Sequence, residues 1–184
     1  MSIFDHATAL QGQVSERVMI AVRNMEFARR YTNSLLDDLS EDDWFFVPES
    51  GAGYVTHIAW QAGHLAMAQY GLTLFRQRGR NLEVDKQLMS SRFRKLFMRG
   101  TEPEADREKY PEPAEIREVM EKVHSRMLIE VAGFEDAELD EQTDQPHAAF
   151  DTRYGALLFA GDHEMVHAGQ IGMLRRLMGK VPLR

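Results

Sequence analysis

Cysteine is absent from the 184 residues. No disulfide, thiolate nucleophile or cysteine-ligated metal is therefore open to this chain, and its redox compartment stays unwritten. No stretch approaches 18 uninterrupted apolar residues, which excludes a membrane-spanning helix. The opening Met1–Gln13 segment lacks the basic and apolar stretches of a secretory signal, so a cytoplasmic protein without a membrane partner is expected. Basic residues are outnumbered, 22 against 29 acidic, for a net charge of −7. That balance argues against general nucleic-acid binding. There is no glycine-rich phosphate loop, and Ser50, Ser90, Ser91 and Ser125 lack a nucleophile-elbow setting.

What is present suits one soluble globular domain over residues 1–184: 43% hydrophobic and 28% charged residues, in a chain long enough to bury one core. The charge is uneven. Residues 101–144 hold 15 acids and 5 bases, a net of −10 that leaves +3 for the rest. Residues 76–99 carry eight bases (Arg76, Arg78, Arg80, Lys86, Arg92, Arg94, Lys95, Arg99) against Glu83 and Asp85. This run reads as a solvated crossover or, alternatively, as an anion-attracting rim.

Four amphipathic stretches stand out, and convincing strands do not. Val18, Val22, Met25, Ala28, Leu35 and Leu39 recur at helical steps over about 14–39. Ser40 opens a short capped turn before Trp44, and Pro48, Gly51 and Gly53 punctuate a loop. A second helix is expected from a Thr56 cap to about Arg78, with Ile58, Ala62, Leu65, Leu72 and Phe75 inward. Pro113 suits the first turn of a third, whose face runs Ile116, Val119, Met120, Val123, Met127, Val131 and Phe134. An acidic loop to Asp144 precedes a fourth, about Thr152 to Met178, closed by Gly179 after basic Arg175 and Arg176. Four such helices bury themselves most simply as an all-α four-helix bundle, with a long connection between the second and third.

Seven histidines are available. His163 and His167 are four apart, so both rings leave one helix face with Cβ atoms ~5–6 Å apart, close enough for one cation. Their stripe also holds Ala156, Ala160 and Leu174, and core-facing imidazoles need a polar partner. Separate hydrogen bonds would serve; so would a shared metal. His64, in the middle of the second helix beside Gly63, is the better third ligand. His57 lies two turns away, ~10.5 Å along the axis, and cannot easily share an ion with it; it is expected near a pocket mouth or exposed. Gly63 costs a helix interior roughly 1 kcal/mol relative to alanine, which invites a reason such as close backbone approach. Asp162, Glu164 and Gln170 flank the pair as candidates to orient a ligand ring, and Glu164 is also a candidate catalytic base, although an exposed helix carboxylate is the commoner fate.

Gly63-His64-Leu65, His163, and His167-Ala-Gly-Gln170-Ile171 followed by Leu174-Arg175-Arg176 resemble the DinB/YfiT-like superfamily over essentially the whole chain. The resemblance implies a four-helix bundle holding a divalent metal on His64, His163 and His167, commonly as a homodimer. It also implies chemistry among thiol-dependent transferases, isomerases and hydrolases. Residues 80–112 are longer and more basic than a minimal member would have, which leaves the pocket lid and the substrate open. Zinc or nickel suits such a site best, and iron or manganese also accepts imidazole.

Rival readings fare worse. His163-Glu164-x-x-His167 matches the zinc-protease motif, yet Gln170 and Met173 stand where the extended form wants Gly and His. Glu121-x-x-His124 and Glu164-x-x-His167 evoke a di-iron bundle, but residues 55–79 contain no carboxylate to complete it. His124 is then expected to be a partly buried or surface residue. Eleven Met and ten Phe would fill a core or line an adaptable pocket. The expectation is therefore a metal-dependent hydrolase, or a transferase using a small thiol, acting on a small molecule. A non-catalytic metal- or ligand-binding bundle is the alternative.

Overall fold

A computed structural model describes residues 14–49 and 55–183. Gly51, Gly53 and His6 lie outside them. The described part is mostly helical, with one small two-stranded sheet.

Helix α1 (Glu16–Leu36) starts where the Ser15 hydroxyl accepts from the Arg17 amide. Helix α2 (Glu41–Trp44) is the expected short turn, closed by a reciprocal cap between Ser40 and Asp43. The second long helix, α3 (Ile58–Tyr70), continues through a π turn, Gly71–Phe75, into a last α turn, Arg76–Arg78. Its length is as expected but its cap is not. His57, rather than Thr56, caps it, the ring Nδ1 accepting from the Trp60 amide. Helices α4 (Leu82–Leu88) and α5 (Ser91–Phe97) follow, then α6 (Pro113–Val131), with Pro113 in its first turn as expected. After the short α7 (Asp136–Leu139) come strands β1 (Gln142–His147) and β2 (Phe150–Thr152), antiparallel, pairing Gln142 with Thr152 and His147 with Phe150. Thr152 closes β2 and also caps α8 (Arg153–Leu177).

Side-chain contacts fix the directions of the four long helices. Asn24 meets Asp162, and Arg175 donates to the Leu35 carbonyl, so α1 and α8 run the same way. Gln69 meets His124 and Arg78 meets Glu130, so α3 and α6 also run together. Gln61 meets His167 and Gln77 meets the Arg153 carbonyl, which sets α3 against α8. A parallel step from α3 to α6 obliges the chain to return along the molecule, and residues 79–112 do so. Where Gly161 lies, a Cβ would come within 2.5 Å of the Asn24 side chain; its hydrogen lets α1 and α8 approach.

The apolar stripes read from sequence become one core: Val18, Val22, Met25, Leu65, Ile116, Met127 and Leu174 are all buried in it. Two expectations need correction. The return segment is no solvated crossover, because Leu88, Met89, Phe93, Phe97 and Tyr110 sink into the same core. The acidic loop holds a helix and a hairpin. Its strands, rich in Gln, Asp and Pro, never show the apolar alternation that marks a half-buried strand. Among the described residues no helix is long and apolar enough to cross a membrane.

Candidate metal centre

The antiparallel pairing of α3 with α8 brings His64 level with His163 and His167. Ring centroids are 5.4 Å apart for His64–His163, 4.8 Å for His64–His167 and 4.5 Å for His163–His167. One nitrogen from each ring lies within 4.8 Å of the others. His167 is buried, only 9% exposed, while His64 and His163 are partly buried.

The other ring nitrogens decide what this trio can do. His64 Nδ1 lies 2.9 Å from the Phe97 carbonyl, which can only accept, so Nδ1 carries the proton and donates. His167 Nδ1 likewise donates to Gln61 Oε1, while Gln61 Nε2 donates to Thr56 Oγ1 at 2.8 Å. Both rings are thereby fixed as Nδ1–H tautomers with the Nε2 lone pair free, the arrangement in which an outer hydrogen bond orients a metal-ligating imidazole. The Trp60 indole stacks on His64 with centroids 4.9 Å apart and planes 5° from parallel, which limits rotation of that ring.

Electrostatics agree. Burial holds His64 below the ordinary histidine value. His163 is pushed down to about 4, by burial first and then by His64 and His147. His167 is pushed down to about 3, by burial first and then by His163 and His64. The trio is uncharged at neutral pH, and neutral imidazole is the form that ligates a metal. Converging neutral donors, oriented from behind and drawn from two helices, fit a divalent cation.

Gly63 has the reason its helix position demanded. A Cβ there would fall 2.4 to 2.6 Å from the Phe97 ring, so glycine lets α5 lie against α3 and present its last carbonyl to His64. Neither Phe97 nor Gln61 was visible as a site residue in the sequence. Gln61 precedes His64 by three, a helical neighbour on the same face, and that spacing was its only signal. The proposed orienting groups do not serve: Asp162 is exposed and bonded to Asn24, and Gln170 is exposed.

Glu164 is not the exposed carboxylate of the common case. It is 3% exposed, and its two oxygens accept from Arg29 Nε at 2.7 Å and Nη2 at 3.1 Å. Arg29 also donates to the Met120 carbonyl and to Gln69 Oε1, and Gln69 Nε2 then donates to His124 Nδ1 at 3.0 Å. His124 is therefore a buried member of a network through all four long helices, not a surface residue. His57 departs from expectation too. It is 1% exposed, packs edge-on against Tyr110 with centroids 4.6 Å apart, and is pushed down to about 4 by burial. Its capping role pulls the ring inward, and α2 and the return segment cover it.

A family model described as the DinB superfamily matches residues 24–171. That span runs from the middle of α1 almost to the end of α8 and contains all three histidines. No curated protein matches the chain.

Proposed function

The chain belongs to the DinB superfamily, and on that premise we propose a four-helix-bundle enzyme holding one divalent ion on His64, His163 and His167. It acts on a small molecule, as a hydrolase or as a transferase that uses a low-molecular-weight thiol. Family membership and the three-histidine cluster fit a metal-binding protein. The observation that carries the reading is the pair of backing hydrogen bonds, Phe97 carbonyl to His64 and Gln61 to His167, which leave Nε2 free on both rings.

When bound to three neutral imidazoles, a divalent ion keeps at least one position for solvent or substrate and supplies Lewis-acid chemistry there. Zinc and nickel suit this donor set best, ahead of iron and manganese. The protein's own groups do the positioning. Phe97 and Gln61 hold two rings, Trp60 stacks on one of them, and the core beneath excludes water. With no cysteine in the chain, any thiolate used in transfer arrives from outside. Glu164, with both oxygens given to Arg29, holds α8 in register; proton transfer falls to solvent or substrate groups.

Metal content of protein purified without a histidine tag tests the reading. One equivalent is expected, lost to the same extent in His64→Ala and His163→Ala. A full equivalent retained by His64→Ala would remove that residue from the site. Turnover of an activated ester, or of a thiol with an electrophile, should follow metal content. Full occupancy with no turnover on either panel would make the protein a binding module.

A further inference from the structure

The hairpin has polar strands, and an isolated two-stranded ribbon is marginal in water, so something else must hold it. Arg76, at the end of α3, holds one side. Its Nη1 donates to the Gln145 carbonyl at 2.8 Å, and its guanidinium lies 5.2 Å from the centre of the Phe150 ring. On the other side β2 is pressed against the first turn of α8. A Cβ on Gly155 would stand 2.7 Å from that of Phe150, so glycine lets the strand come this close. The hairpin is thus fixed to both α3 and α8, the two helices that supply the histidines.

From that anchorage a run of rings reaches the three histidines. His147 stacks on Phe150, with centroids 4.3 Å apart and planes 13° from parallel. Phe159 of α8 meets both, 5.1 Å from His147 and 5.6 Å from Phe150. It is in turn 5.7 Å from His163, which follows it by four residues. The His147 Nδ1 accepts from the Ala149 amide at 3.2 Å, so this ring is neutral and stacks as an aromatic rather than as a cation. Trp60 stands four residues before His64 on α3; because α3 and α8 run oppositely, Trp60 and Phe159 flank the cluster from opposite ends. Phe150 is buried, whereas Phe159, His147 and His163 are each only partly buried. Two rings of the run therefore keep a face in the open beside the site.

We infer that Phe159 and His147 form the wall of a substrate pocket at the three-histidine centre, and that the substrate carries a flat aromatic or conjugated group. That group lies on the wall while the reacting end reaches the histidines. Ring faces and edges attract a flat π system beyond the area it buries, a gain that a saturated body of similar size does not share. The inference deepens the metal-enzyme reading and rests on it.

The test titrates acetohydroxamate, cyclohexanecarbohydroxamate and benzohydroxamate into zinc-loaded protein by calorimetry; the three share one zinc-chelating head and differ in body. Benzohydroxamate should bind about tenfold more tightly than either of the others. Phe159→Leu keeps an apolar side chain, and His147→Ala changes a partly exposed residue of the hairpin. Each should cut that advantage to about threefold or less. Acetohydroxamate affinity and zinc stoichiometry should stay those of the parent. A cyclohexyl compound that binds as tightly as benzohydroxamate, or an advantage unchanged in both variants, overturns the wall while the metal reading stands. A protein that takes up neither zinc nor any hydroxamate sinks the metal reading, and the wall with it.

Discussion

Gln61 touches His167 from behind, and its value lies in geometry rather than charge. Gln61→Leu keeps the volume and removes the acceptor, leaving the His167 Nδ1–H unpaired in a buried setting. Loss of an orienting partner of this kind costs about 10–100-fold in metal affinity. The expected outcome is one equivalent at saturating zinc with that drop in affinity, measured against a chromophoric chelator. An affinity within about twofold of the parent would show that the bond does not orient the ring. Gly63 makes a sharper steric case. Alanine there would gain roughly 1 kcal/mol of helix propensity, but its Cβ would stand 2.4 Å from a ring atom of Phe97. That ring is 0% exposed and has nowhere to swing. Overpacking of this sort costs about 1–3 kcal/mol, so Gly63→Ala should lower the urea midpoint despite the propensity gain. It should weaken metal binding as well, because α5 must shift and carry the Phe97 carbonyl off His64.

At the scale of elements, the buried Arg29–Glu164 pair ties α1 to α8, and its further bonds reach α6 and α3. Breaking one side strands a carboxylate in the core. Arg29→Met should therefore destabilise by about 3–5 kcal/mol, while the double change Arg29→Met with Glu164→Met should recover much of that loss. Chemical denaturation of the two variants decides it; equal destabilisation would mean that Arg29 acts through packing alone. The same pair marks where sequence reading stops. The 3.6-residue stripes of Val18–Met25, Ile116–Met127 and Ala156–Leu174 were legible because burial of a helix face leaves a period, and the spacing of His163 and His167 was legible for the same reason. Glu164 was legible only as a carboxylate in a motif, since its partner lies 135 residues away and no local pattern connects them. Phe97 acts through its backbone carbonyl, which any residue could offer. The hairpin was missed because its strands are polar and short, paired to each other and held by rings at one end.

Across the whole molecule, several imidazoles are folded into places where charge is unwelcome, and this couples stability to pH. His57 and His124 lie outside the three-histidine cluster and make the simplest case. Burial lowers His57 from the ordinary 6.5 to about 4. His124 falls to about 3, by burial first and then by the charge of Arg29. In the unfolded chain both regain a value near 6.5, so below that pH the unfolded state takes up protons that the folded state refuses. Their stabilising contribution is complete above pH 6.5 and is lost as the pH falls from there toward 4 for His57 and toward 3 for His124. At about 1.4 kcal/mol per unit, His57 alone is linked to about 3 kcal/mol over that window. His57→Asn isolates it, because asparagine keeps a side-chain acceptor for the Trp60 amide and cannot titrate. The variant should lose about 1–2 kcal/mol at pH 7.5 from the missing ring contacts with Phe45 and Tyr110. Its denaturation midpoint should then fall less steeply than the parent's between pH 6.5 and 4, so that the two curves converge in acid. Parallel curves across that window would mean that the folded protein protonates His57 as readily as the unfolded chain does, and that the buried cap is open to water.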